Sequence, residues 1–251
     1  MKSEQAMWMV VLLVVVTAGC TYRGAKHTQT RLSAPYGDRQ VWAVVPLRNE
    51  SGSLHADGLK AADQLAQRLE TVMGLDTVPV NRVLAAMQSL QMSGVNDAKD
   101  VVELRTVLGV DALVVGTLTA YDPYDPPKLG IAIELYFDPQ RLSAQATNLR
   151  DLVRAGVDDI TPPEQTNKPR RPVSVVSGFY DASDPAVHEK LMTYAATRGD
   201  QDEHDPERSW RLYQIDMDLY TEFVTYLVSK ELLRVEQDRL APPMFAQEPA
   251  T

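Results

Sequence analysis

The side chains best suited to covalent chemistry are few. Of 251 residues one is cysteine, Cys20, and four are histidine: His27, His55, His188 and His204. A single thiol excludes an internal disulfide, a multi-cysteine zinc site and a Cys-x-x-Cys redox pair. What it allows is modification of that one sulfur, and its setting is specific. Met7 to Val16 is an unbroken apolar run, Thr17, Ala18 and Gly19 are small, and Cys20 follows at once. The run is too short to cross a bilayer, which takes about 20 apolar residues, and suits the core of a secretory signal. Lys2 supplies its positive start, offset by Glu4. The histidines offer less. His188-Glu189 opens as a zinc-protease helix does, but the fifth position is Met192, so the second ligand is missing. His204 stands among Asp200, Asp202, Glu203 and Asp205, His55 follows the turn after the first strand, and His27 lies in a polar stretch. The phosphate loop, the dinucleotide glycine fingerprint and the Gly-x-Ser-x-Gly elbow are all missing. No catalytic and no metal residue is therefore assigned, and no cofactor is expected.

Other residues are suited to contact rather than catalysis. Tyr121-Asp122-Pro123-Tyr124-Asp125-Pro126-Pro127 presents two tyrosines and two carboxylates on a proline-stiffened turn. Such amphipathic aromatics favour interfaces. The same turn also reads as a stiff hairpin whose tyrosines pack back on the sheet and whose aspartates bond their own backbone. Asp122 and Asp125 alone do not make a calcium shell. Trp210, Tyr213 and Tyr220 belong to an aromatic-rich C-terminal segment that either packs on its own domain or meets a partner. Lys168, Arg170 and Arg171 cluster in a proline-rich loop. Against these local bases the chain as a whole is acidic, with 34 acids, 25 bases and a formal net charge of −9. A diffuse acidic excess argues against nucleic acid as partner, because phosphate contacts need a basic face.

These residues must be positioned by an α/β domain. Gln40–Leu47 is an almost continuous apolar strand, which predicts burial on both faces. A helix follows over about 57–73, with Leu59, Ala62, Leu65, Ala66, Leu69, Val72 and Met73 on one stripe. Asp76–Val80 reads as a short edge strand, and Asn81 as the cap of a helix carrying Val83, Leu84, Met87 and Leu90. A third helix is capped near Asn96 or Asp97 and ends at Gly109. The strands Asp111–Ala120 and Lys128–Phe137 make a hairpin around the tyrosine turn. Residues 148–155 suggest a short helix, Val173–Tyr180 a strand, and Ser183 the cap of a helix reaching about Arg198. One long helix is expected from about Pro206 to Arg239, too apolar around its circumference to be exposed. The fold class is thus α/β, a mixed sheet with flanking helices, plus a long C-terminal helix. The expected divisions are a leader over 1–19, a flexible tether over 20–38, the domain with its helical extension over 39–240, and a disordered tail over 241–251.

Two resemblances add to this reading. The run ending Thr17-Ala18-Gly19-Cys20 resembles the lipobox of bacterial lipoproteins, although Thr17 stands where the family usually has leucine. The resemblance implies cleavage before Cys20, a diacylglycerol thioether (commonly palmitate-bearing) and an N-acyl chain. Thr21, rather than aspartate, implies sorting to the outer membrane, facing the periplasm. Residues 40–137, through "VWAVVPLRNESG", "LAQRLETVMGLDTVPVNRVLAAM" and "LGVDALVVGTLTAYD", resemble the periplasmic α/β domain shared by CsgG, LpoB and the N-terminal domain of TolB. That family implies an envelope protein working by protein contact. The expectation is therefore a lipid-anchored, non-catalytic binding or assembly factor. The candidate contacts are Tyr121, Asp122, Tyr124, Asp125, Trp210, Tyr213 and Tyr220. A homo-oligomeric CsgG-like channel or collar and an envelope hydrolase are the alternatives.

Overall fold

The computed structural model describes residues 31–137, 171–198 and 206–241. The expected helix at 148–155, the leader with Cys20 and His27, the bases Lys168 and Arg170, His204 and all but the first residue of the tail lie outside the described residues. A six-stranded mixed sheet is flanked by helices, with a long helix at its C-terminal end. Its strands are β1 (Gln40–Val44), β2 (Arg48–Asn49), β3 (Leu75–Val78), β4 (Ala112–Asp122), β5 (Lys128–Phe137) and β6 (Ser174–Asp181). The order is β3-β1-β4-β5-β6, with β2 also paired to β4. Pairings among β1, β2, β3 and β4 are parallel, whereas β4–β5 and β5–β6 are antiparallel.

The helices are α1 (Gly58–Glu70), α2 (Val80–Ser89), α3 (Ala98–Leu108), α4 (Pro185–Thr197), α5 (Pro206–Ile215) and α6 (Met217–Leu240). Side-chain carboxylates cap four of them at the start. Asp57 accepts from the Leu59 and Lys60 amides, Asp97 from Lys99 and Asp100, Asp184 from Ala186, and Asp216 from Asp218 and Leu219. Two expected caps are displaced. Asn81 sits inside α2, which begins at Val80 after the extended Pro79. Ser183 donates its amide and hydroxyl to Asp181, leaving Asp184 as the cap of α4.

β1 is buried on both faces, and its two faces enter different cores. Trp42 and Val44 join α1, α4, α5 and α6 on one side of the sheet. Ala43 and Val45 join α2 and α3 on the other. The apolar run does not continue as one strand to Leu47. Val45 still donates to Val114, but Pro46 has no N–H, and pairing resumes only at β2, farther along β4. Leu47 then donates to the Gly58 carbonyl at 3.0 Å. A Cβ at Gly58 would lie 1.8 Å from the Leu47 carbonyl oxygen, so the first residue of α1 has room only for glycine. On α1, Ala61, Ala62, Leu65, Ala66 and Leu69 are buried, while Leu59 and Met73 from the expected stripe are exposed.

The hairpin β4–β5 is a core element. Leu118, Leu129, Ile131, Ile133 and Leu135 all point into the larger core. A bulge between Leu118 and Ala120 leaves Thr119 without a partner in the ladder. Gly130 makes room for it, since a Cβ there would fall 2.5 Å from the Thr119 hydroxyl.

The single C-terminal helix expected from the sequence is two. Asp216 takes an extended conformation and its carboxylate caps the next helix, so the chain turns between α5 and α6. The turn lets α5 fold back over α4, where Tyr213 meets Tyr194 with ring centroids 5.6 Å apart. α6 is packed on α1 and β6 and buries residues on several sides, from Met217 and Tyr220 to Leu233 and Glu236. Its buried Thr221 and Thr225 return their hydroxyls to the carbonyls of Met217 and Glu222.

Leu32, inside the stretch expected to be a flexible tether, is bonded to the domain. Met73 donates to the Leu32 carbonyl and Ala34 donates to that of Met73, each at 2.9 Å. Tyr36 packs against Phe137 and Trp42, at 5.2 and 6.0 Å between centroids. Its hydroxyl donates to Glu236 at 2.6 Å. Glu236 has no exposed surface, and it also accepts from the Ser174 hydroxyl and from two nitrogens of Arg239 at 2.6 and 2.9 Å. Burial pushes the Glu236 carboxyl up, but the bonds from Arg239, Ser174 and Tyr36 outweigh it and hold the carboxyl below its ordinary value of 4.5. Burial and the Glu236 charge together drive the Tyr36 phenol upward.

Glu236→Ala should lower unfolding free energy by about 3–5 kcal/mol, because it leaves Arg239 without its counter-charge. A group with a lowered folded pKa stabilises above its unfolded pKa and loses that contribution as pH falls through the folded one. The gap between the wild-type and Glu236→Ala midpoints in urea should therefore stay level from neutral pH to about 4.5 and narrow below it.

Candidate functional site

The seven residues singled out as contacts fall into three groups. Tyr213 and Tyr220 are buried, at 2% and 0% exposure, and this corrects their reading as surface contacts. They face inward because α6 lies between α1 and β6 and α5 lies against α4; rings on those faces have no solvent side. Trp210 is half-buried against the larger core, with the His188 ring edge-on at 4.6 Å and the Arg211 guanidinium 5.5 Å from its centroid. His188 in turn bonds the Gln214 amide at 3.3 Å. This histidine works in packing between α4 and α5.

The tyrosine turn divides between its two readings. Tyr121 packs back on the larger core, and burial followed by the nearby Asp218 charge raises its phenol pKa. Asp122 accepts from the Tyr124 amide at 3.2 Å, a bond within the turn itself. Tyr124 points outward with 74% of its surface exposed, beside exposed Asp125. His55 and Arg171 are exposed as well. Among the described residues, no group of three or more His, Cys, Asp or Glu side chains is placed to hold a metal ion, and no helix is long and apolar enough to cross a membrane.

Near the tyrosine turn the sheet shows a face that no described element covers. Cross-strand rows run Thr117–Ala132–Ser177 and Ala120–Gly130–Phe179, and the row before them, Val115–Glu134–Val175, begins against the smaller core at Val115. Val175 and Phe179 are 53% and 61% exposed on the edge strand β6. Toward α3 the face deepens into a cavity of about 260 Å³ between Arg48, Asp97, Thr117, Glu134 and Tyr136. Tyr136 donates to Glu134 at 2.5 Å there, and burial and that bond raise its pKa.

A second cluster went unmarked in the sequence. Arg68 from α1, Tyr194 from α4, Arg198 just beyond α4, and Glu222 and Tyr226 from α6 meet where the three helices converge. Arg68 and Arg198 both donate to the Tyr194 oxygen, at 2.7 and 2.9 Å. Both also approach one oxygen of Glu222, at 3.6 and 2.5 Å. The Arg68 guanidinium lies 5.8 and 5.4 Å from the Tyr194 and Tyr226 centroids. Burial raises the Tyr194 pKa, reinforced by Glu222 and opposed by the two guanidiniums. Arg198 is held above its ordinary value, since the Tyr194 and Glu222 interactions outweigh its burial. A cavity of about 450 Å³ opens on this cluster, reaching Arg31, Leu32 and Glu70. No local motif announces the cluster, because Arg68 and Tyr194 are 126 positions apart. The one available signal was that Arg68 stands close to the buried stripe of α1.

No family model matches the chain, and no curated protein matches it. Among solved structures it is similar to the LpoB C-terminal domain from Salmonella enterica, at 12% identity and TM-score 0.38, over 60% of this chain and 85% of that one. It is similar to lipoprotein GNA1162 from Neisseria meningitidis, at 16% identity and TM-score 0.36, over 63% of this chain and 96% of that one. It is also similar to the hypothetical protein CT253 from Chlamydia trachomatis, at 12% identity and TM-score 0.35, over 80% and 95%. At such values no function passes from these proteins to this chain.

Tyr194→Phe removes the acceptor shared by two half-buried guanidiniums. It should cost about 1–2 kcal/mol of stability in a denaturant titration, while Tyr226→Phe, which keeps its ring under Arg68, should cost less.

Proposed function

We propose that this chain is a lipid-anchored envelope protein that acts by binding, as a non-catalytic partner or assembly factor of an envelope complex. The observation that carries the reading is the position of the only cysteine, directly behind an apolar leader and three small residues. Acylation of Cys20 by a diacylglycerol and an N-acyl chain gives firm anchoring, where one chain alone is marginal. Thr21 favours the outer membrane on its periplasmic side. Leu32 is bonded to Met73 and Tyr36 to Glu236, which supports reading the polar stretch behind Cys20 as a tether that joins the domain there.

The partner is another envelope protein, and Tyr124 with Asp125 is the surface through which it is met. The prolines around this turn limit the entropy lost when the exposed tyrosine is ordered on binding. Phe179 lies at the same end of the sheet, opposite Gly130 and close in register to the start of β5. Together they offer aromatic contact area beside charged Asp125 and Lys128.

The test has two parts. The full chain should take up a palmitate label and sediment with membranes, and Cys20→Ala should lose both. A Cys20→Ala protein that stays as firmly membrane-bound, with no label in the wild type, rules the anchor out. A photocrosslinking residue at position 124 should give one discrete adduct with another envelope protein, and one at Glu103 on α3 should not. Adducts from both positions, or from neither, count against the turn as the contact.

A further inference from the structure

The convergence of α1, α4 and α6 leaves polar groups that its internal bonds do not use. The Arg68 Nε–H is buried and has no hydrogen-bond partner. The Gln64 side-chain oxygen is likewise buried without one, while its amide nitrogen donates to the Asp218 carbonyl at 3.1 Å. Buried polar atoms left unpaired are costly, so a donor and an acceptor orphaned together call for an account. The two residues are one helical turn apart on α1 and border the same groove. This groove, of about 440 Å³, runs between Gln64, Gln67, Arg68, Thr71, Arg198 and Glu222. It adjoins the cavity of about 450 Å³ through Arg68, Thr71 and Arg198, which line both.

Charge narrows what could fit. Arg31, Arg68 and Arg198 stand against Glu70 and Glu222, which leaves one positive charge on a chain whose formal net charge is −9. One excess positive charge suits a monoanion; a phosphate dianion would face two carboxylates with one charge uncompensated. Glu222 already shows how a carboxylate is received here, by two guanidiniums on one oxygen. Guanidinium forks carry more donors than these bonds consume. Spacing narrows it further. Residues four apart on a helix are displaced by about 6 Å along its axis. Two residues of an extended peptide span about 6.7 Å. A peptide laid along α1 can thus bring an amide N–H to Gln64 and an acidic side chain to Arg68 and Arg198. Its flank would meet the rings of Tyr194 and Tyr226.

We infer that the groove between α1, α4 and α6 is a binding site for an extended acidic peptide segment, its carboxylate received by Arg68 and Arg198 and its backbone by Gln64. The site is separate from the tyrosine turn and does not depend on the lipid anchor, so Cys20→Ala protein should bind the peptide unchanged.

The test is titration calorimetry on the full chain in detergent, with the Arg68 Nε–H resonance followed by NMR. The probe is a blocked alanine pentapeptide with glutamate at its centre, and the control is its glutamine twin. The glutamate peptide should bind saturably and shift the Arg68 resonance, and the glutamine peptide should bind at least about tenfold more weakly. Arg198→Gln should weaken the glutamate peptide by a similar factor, and a Gln64→Leu protein that melts as the wild type does should weaken both peptides alike. Equal binding of the two wild-type titrants, or none, overturns the proposal without reference to any variant. Inorganic phosphate binding more tightly than the peptide overturns the carboxylate assignment, and glucuronate doing so overturns the peptide.

Discussion

A carboxylate with no exposed surface must be matched where it is buried, and Glu236 is matched from three directions. Arg239 comes from its own helix, Ser174 from β6 and Tyr36 from the segment before β1. The cost of leaving such a charge unpaired couples pieces of chain that are far apart in sequence. Tyr36 is 200 positions from Glu236, and its ring is held between Trp42 and Phe137 while its hydroxyl is held by the carboxylate. The point at which the polar N-terminal stretch joins the domain is therefore set by the last helix.

The same helix organises the rest of the larger core. α6 lies between α1 and β6, so its aromatic and aliphatic residues are consumed inside the domain. Near its start the polar cluster of Arg68, Tyr194, Arg198 and Glu222 joins it to α1 and α4. Charge is used differently at the two ends. At Glu236 every oxygen is occupied and the site is closed. At Arg68 the guanidiniums outnumber the carboxylate they share, and a cavity adjoins them. A closed network serves folding, whereas an open one with excess charge, an unpaired donor and an unpaired acceptor is shaped to receive something further.

The two faces of the sheet are unequal for a related reason. The parallel strands β3 and β1 and the first part of β4 are covered on both sides, as parallel strands generally are. The antiparallel strands β5 and β6 are covered on the α6 side, and their other face carries exposed Val175 and Phe179 among the described residues. Exposed aromatic surface and the outward Tyr124 lie at one end of the sheet; the arginine groove lies among the helices on its covered side. The proposed contact at Tyr124 and the proposed peptide groove thus lie on different parts of the domain.

Much of this was legible in the chain itself. The alternation and length of apolar runs marked β1, β4, β5 and β6, the apolar stripe marked α1, and the cap expected at Asn96 or Asp97 marked the start of α3, because caps and periodicity are local properties. Gly109 ended α3 in the left-handed conformation that glycine adopts readily. The expectation of a leader ending at Cys20 rests on local features too: length, hydropathy and the order of small residues. Where the sequence misled, the cause was tertiary. Asp216 divides an apolar stretch that periodicity could not divide, since packing α5 on α4 requires a turn there. Tyr213 and Tyr220 look like contact residues by type, and only the position of α6 decides that they are core. Arg68, Tyr194, Arg198 and Glu222 form no motif at all. Their meeting depends on how three helices cross, and a crossing is set by long-range packing that no local pattern of residues encodes.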